Sequence, residues 1–135
     1  MDIVRIHVYY AGHVPADVRA ALRTMGGKHR KSHLRRVARG EKGYSLIECI
    51  VAFVGNRPVG WAAFYNTPQF PAKRHVGVWV RTRDRGMGYG KALWDNAFNR
   101  WGQQYPMTYG LVETVWDAKY RKEDQSHLAW QDRPN

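Results

Sequence analysis

From Ile3 to Tyr10 the chain is rich in β-branched and aromatic residues, and Gly12-His13-Val14-Pro15 closes the run, which predicts a first strand. The period then changes. Pro15 suits the first turn of a helix, and Val18, Ala21, Leu22 and Met25 recur at helical spacing until Gly26-Gly27 stops them. Between Ser45 and Val54 both alternate sets are apolar, Leu46, Ile50, Ala52 and Val54 on one face and Ile47, Cys49, Val51 and Phe53 on the other. That pattern predicts a strand covered on both faces, with Glu48 as its exception. Gly55-Asn56 is a hairpin signal, Pro58 to Tyr65 reads as the returning strand, and Thr67-Pro68-Gln69-Phe70-Pro71 breaks it. His75 to Arg81 predicts a further strand with Val76, Val78 and Val80 on one face. After a glycine-rich loop from Arg83 to Gly90, the residues Leu93, Trp94, Ala97, Phe98 and Trp101 form a helical apolar stripe that Gly102 ends. Tyr109 to Val115 reads as another strand, carrying Glu113, and Trp116 to Asn135 as a polar helix and tail. The order is strand, two helices, three strands, helix, strand, helix, a mixed α and β pattern.

Composition narrows the class. With 135 residues, 44% of them hydrophobic, the chain is one domain over 1–135 with enough apolar surface for a core. No apolar run approaches the length of a membrane span, and the start lacks a signal-peptide pattern, so a soluble cytoplasmic protein is expected. The lone Cys49 excludes an intramolecular disulfide and any CxxC zinc or redox motif. Lys and Arg number 22 against 11 Asp and Glu, a net charge of +11, which points to an anionic partner: a nucleic acid, an acidic protein or a phosphate-bearing cofactor. Much of the charge lies in Lys28 to Lys42, seven Lys or Arg against one Glu. On a continuous helix Lys28, Lys31, Arg35, Arg39 and Lys42 would form one cationic stripe with Arg36 beside it. His29 and His33 have the spacing of a metal pair without a third ligand, so no metal is expected.

The most informative segment is Val80-Arg81-Thr82-Arg83-Asp84-Arg85-Gly86-Met87-Gly88-Tyr89-Gly90-Lys91-Ala92-Leu93. Glycines between a strand and an amphipathic helix let backbone amides approach a ligand, and the helix start adds free N–H donors and partial positive charge, a combination suited to phosphate. Spacing excludes two known phosphate loops: a dinucleotide fingerprint from Gly86 would need glycine where Lys91 stands, and a Walker A loop would need Ser or Thr at Ala92. Arg85, Gly88 and Gly90 instead resemble the acetyl-coenzyme A loop of the GCN5-related N-acetyltransferase (GNAT) family, whose pattern is Gln or Arg, two residues, Gly, one residue, then Gly or Ala. The preceding Val54-Gly55-Asn56-Arg57-Pro58-Val59-Gly60-Trp61 is similar to that family's hairpin, and the resemblance covers about residues 45–120.

This resemblance implies an α/β (α+β) fold: a mixed, mostly antiparallel central sheet with helices on both faces. It implies acetyl-CoA as cosubstrate, transfer of an acetyl group to an amine, and a pyrophosphate held on the backbone of Arg85, Gly86, Met87, Gly88, Tyr89, Gly90 and Lys91. Main-chain donors from Val78 through Val80 to Arg81 would polarise the thioester carbonyl. Glu48, a carboxylate among apolar neighbours, is the first candidate base, acting directly or through water, and Glu113 is similar; the other reading of each is a carboxylate at a solvent-reaching strand face or paired with one of the many arginines. His75 is a further candidate, although an isolated His at a strand start is more often an ordinary surface residue. Tyr120 is the positional candidate for the acid, without the family's usual spacing before it. The family usually ends in two more strands, for which Arg121 to Asn135 looks short, so the resemblance leaves two alternatives: an exposed sheet edge that a second copy of the chain could cover, or an acceptor side that is incomplete. The resemblance places Lys28, Lys31, Arg35, Arg36 and Arg39 beside the acceptor and so suggests an acidic macromolecule there. Two competing classes are a GNAT-fold scaffold that binds an acidic protein with little or no activity, and a nucleic-acid binder, although the sequence contains no helix-turn-helix, zinc-finger or RNA-recognition signature.

Overall fold

The computed structural model describes residues 4–26, 32–69, 74–102 and 107–108. The elements are β1 (Val4–Tyr10), α1 (Ala16–Leu22), α2 (His33–Arg39), β2 (Leu46–Val54), β3 (Arg57–Tyr65), β4 (Arg74–Val80), α3 (Tyr89–Ala97) and β5 (Met107–Thr108). A 3-10 turn at Thr82–Asp84 precedes α3, and a π-helical turn at Phe98–Gly102 follows it. The strands lie in the order β1-β2-β3-β4-β5; the first four are antiparallel neighbours, and β5 runs parallel to β4. This is the mixed, mostly antiparallel sheet expected from the sequence. Glu113, Tyr120, Lys28, Lys31 and His29, with the strand expected at 109–115 and the segment after it, lie outside the described residues.

The helices divide between the two faces, as two apolar periods require. On one face Ile50, Ala52, Ala62, Phe64, Val76 and Val80 meet Leu93, Trp94, Ala97 and Trp101, all buried. Gly60 permits this approach, since a Cβ there would stand 2.8 Å from the Trp79 carbonyl oxygen and 3.1 Å from Leu93 Cδ1. On the other face Val18, Leu22, Met25, Leu34 and Val37 cover Cys49, Val51, Phe53, Trp61 and Ala63. Leu34 sits over Gly77, where a Cβ would be only 2.7 Å from Leu34 Cδ2, so α2 rests directly on the backbone of β4.

One expectation needs correction. Strict alternation placed Leu46 with Ile50, but a bulge between Leu46 and Glu48 sets an extra residue against β3. Leu46 consequently packs on the α1 and α2 side and Ile47 on the α3 side. The cationic stripe, conditional on a continuous helix, is divided at the glycine the sequence singled out: among the described residues α2 spans His33–Arg39, and Gly40 in the left-handed conformation ends it. The N–H groups of Gly40 and Glu41 return to the carbonyls of Val37 and Arg36. Arg35, Arg36 and Arg39 share that helix, while Lys42 follows it in the connection to β2.

Candidate functional site

The site begins with the hydrogen-bond parity of β4. Arg81 N–H donates to the Val59 carbonyl at 2.9 Å, and the register continues from Gly60 opposite Val80 to Tyr65 opposite His75. Bonding alternates along an antiparallel ladder, so the odd-numbered residues of β4 face β3, while Val76, Val78 and Val80 turn their peptide groups the other way. Among the described residues β5 pairs with β4 only at Arg74 and His75. The Val78 and Val80 peptides therefore line an edge leading to the glycine loop.

That loop is held from both sides. Asp84 is buried, and Arg57 at the start of β3 donates to its two oxygens at 2.9 and 3.2 Å. Arg83 Nε lies 3.9 Å from the same carboxylate. Arg85 Nε donates to the Val80 carbonyl at 3.0 Å, with its guanidinium 4.5 Å from the centre of the Trp79 ring. Gly86 and Gly88 then adopt φ of +83° and +86°, a region in which a side chain is strained, and a Cβ at either would meet nothing within 4 Å. Gly88 caps α3, and its carbonyl accepts the first helical bond, from Ala92 N–H at 3.1 Å. The N–H groups of Tyr89, Gly90 and Lys91 precede that bond and have no acceptor within the helix. Three donors and the positive end of the helix dipole thus sit beside two bare glycines, a cradle for an anion.

Not every expected residue joins it. The main chain of Val78 and Val80 leads into the loop of Gly86, Met87, Gly88, Tyr89, Gly90 and Lys91, while the side chains of Val80 and Tyr89 are buried in the core. Arg81 turns away: its amide bonds Val59, and its side chain bridges the Pro58 carbonyl at 3.0 Å and Thr24 Oγ1 at 3.2 Å. Arg85 contributes its side chain as a strut, because its amide is occupied by the Thr82 carbonyl. Lys91 Nζ pairs with Asp95 at 2.9 Å. Arg57, Asp84 and Trp79 were missed. The available signal was that Asp84 is the sole acid between Arg81 and Lys91, a position that invites a buried ion pair.

Glu48 is not alone among apolar groups. Arg100 grips its carboxylate at 2.9 and 3.2 Å, and Trp101 Nε1 donates to it at 2.9 Å. The hydrogen bond to Glu48 raises the pKa of Arg100, against the opposing effect of burial. Glu48 belongs to β2, two strands and about 10 Å from the line of β4, so it fastens the π-helical turn to the sheet. His75 is fully buried rather than at the surface, with Nε2 3.3 Å from Thr67 Oγ1 and its ring 5.7 Å from that of Tyr65. Tyr65 Oη lies 3.3 Å from His33 Nδ1. Burial, and then the nearby Arg36 charge, lower the pKa of His33, while burial raises that of Tyr65. Burial pushes the Cys49 thiol up to about 12, which leaves no reactive thiolate at neutral pH.

No curated protein matches the sequence. A GNAT-family acetyltransferase from Streptococcus pneumoniae TIGR4 has a similar structure, with a TM-score of 0.59 at 16% identity over 98% of this chain and 95% of that one. A GNAT-family protein from Xanthomonas campestris pv. campestris aligns with a TM-score of 0.51 at 21% identity, covering 97% of this chain and 86% of that one. These likenesses concern the fold. Residues 19–125 match the acetyltransferase (GNAT) family, a span that takes in the sheet and the glycine loop opening α3: the chain belongs to the GNAT acetyltransferases, which use acetyl-CoA.

Proposed function

We propose that the protein is an N-acetyltransferase that uses acetyl-CoA to acetylate an amine on a protein or other macromolecule. The observation that carries this reading is the placement of three amides, at Tyr89, Gly90 and Lys91, beside the outward-turned peptides of Val78 and Val80. Open space over Gly86 and Gly88 fits a pyrophosphate, since a Cβ there would meet nothing within 4 Å. Bound acetyl-CoA supplies an activated acetyl thioester. The loop amides would hold its phosphates, and the Val78 and Val80 main chain would position the pantetheine arm and supply donors to the thioester carbonyl. Glu113 is the candidate to take the proton lost by the amine, and the Tyr120 hydroxyl the candidate to return one to the departing sulfur. Arg35, Arg36 and Arg39 on α2, with Lys28 and Lys31, would favour an acidic acceptor or partner.

A second reading has its own support. With both oxygens of Glu48 engaged by Arg100 and Trp101, the first candidate base is committed to a structural pair. A scaffold of this fold that binds an acidic protein without transferring acetyl groups is the alternative. Calorimetric titration with acetyl-CoA and CoA separates the layers: both should bind, and Gly88→Trp should abolish binding. Lack of binding to the unaltered protein would overturn the cosubstrate reading. Intact-mass measurement of acidic candidate proteins after incubation should then show an added acetyl group, whereas a scaffold leaves their mass unchanged.

A further inference from the structure

The outer edge of β1 belongs to neither the cradle nor the basic helix. Ala11 N–H donates to the Ile47 carbonyl at 2.9 Å, and the β1 to β2 register runs unbroken from Tyr10 opposite Glu48 to Val4 opposite Val54. By the same alternation Arg5, His7 and Tyr9 bond β2, while Val4, Ile6 and Val8 direct their N–H and C=O groups outward and Tyr10 its N–H, its carbonyl accepting from His13 N–H at 3.0 Å. Among the described residues no strand pairs with that side. Its two flanks differ. On the α3 side Val4 and Ile6 pack into the core, while Val8 and Tyr10 are 39% and 58% exposed. On the opposite side stand Arg5, with its guanidinium 4.6 Å from the centre of the Phe53 ring, and His7, edge-on to that ring at 6.2 Å.

We propose that this edge binds an acidic, extended peptide segment as a sixth strand, with Asp or Glu facing Arg5 and His7 and alternate apolar residues facing Ile6, Val8 and Tyr10. The backbone edge supplies affinity, and the two flanks supply the sequence preference, since side chains of an added strand alternate between them. A second copy of this chain fits poorly, because it would bring another +11 and another Arg5 to the same edge. The inference concerns binding and stands whether or not the glycine cradle supports acetyl transfer.

The test uses the full chain and a fluorescent Glu-Val-Glu-Val-Glu-Val peptide. Val8→Pro removes one outward N–H and no bond to β2, and should weaken peptide binding roughly tenfold or more. A Lys-Val-Lys-Val-Lys-Val peptide should bind at least as weakly. In amide spectra of the unaltered protein, the signals of Ile6, Val8 and Tyr10 should shift most on peptide addition. That map also decides the question if Val8→Pro fails to fold. Undiminished binding by folded Val8→Pro, equal binding of the two peptides, or largest shifts on α2 would overturn the proposal. So would sedimentation showing a dimer that Val8→Pro dissociates, which would give the edge to a second copy.

Discussion

The two faces of the sheet are filled by different chemistry. The α3 face is an apolar layer of Leu93, Trp94, Ala97 and Trp101, stacked at 5.1 Å on Phe64 and closed at one end by the Glu48 and Arg100 pair. The α1 and α2 face is apolar at its centre but threaded with polar contacts: Trp61 Nε1 to the Met25 carbonyl at 2.6 Å, Tyr65 with His33, Thr67 with His75, and Arg36 to Tyr44 Oη at 2.6 Å. Dispersion and burial hold the first face wherever shapes fit. The second is also directional, so it fixes where α2 begins and ends. The helix that opens the cradle rests on the first face, and the helix carrying the arginines rests on the second.

Substitutions can break this comparison. The largest loss should follow Trp61→Ala, about 4 kcal/mol, because a fully buried indole and its bond to the α1 end disappear together. Leu93→Ala on the other face should cost about 3 kcal/mol through cavity formation alone. Urea denaturation measures both, and the reverse order would make α3 the stronger support. Glu48→Gln should cost about 2 kcal/mol, since it leaves Arg100 without a charged partner although a water-exposed flank remains. Tyr65→Phe should cost about 1 kcal/mol by removing one buried hydroxyl contact.

The smallest effect should be a pH dependence confined to the second face. His33 has a lowered pKa in the fold, so the unfolded chain binds the additional proton first as pH falls. Stability should be full above the ordinary value of 6.5, decline below it, and level off under the folded pKa. His33→Gln should flatten that part of the urea midpoint profile. An unchanged profile would place the titration elsewhere.

Residues whose partners are local in sequence could be read directly. The stripe Leu93, Trp94, Ala97 and Trp101 follows from helical period, and all four are buried. Gly86 and Gly88 stand out between a strand and a helix because few other residues accept positive φ. What escaped depends on long-range contacts or an added residue. The bulge that reverses Leu46 and Ile47 leaves the apolar pattern unchanged, since both residues are apolar. Arg57 and Asp84 meet across 27 positions; an arginine partner for Glu48 was legible as one reading, but that it is Arg100, 52 positions away, lies at a distance at which no local period speaks. His75 looked like surface because a single polar letter carries no sign of the aromatic Tyr65 waiting beside it.

The bond between Arg57 and Asp84 has a consequence for how the protein opens. Arg57 stands just after the β2 to β3 turn, so the glycine loop is fastened to the hairpin as well as to β4. For the loop to unfold locally, that hairpin contact must release as well. Amide hydrogen exchange at residues 86–91 should therefore accelerate in concert with the hairpin end when Arg57 is replaced, the behaviour of one cooperative unit rather than an independent flap.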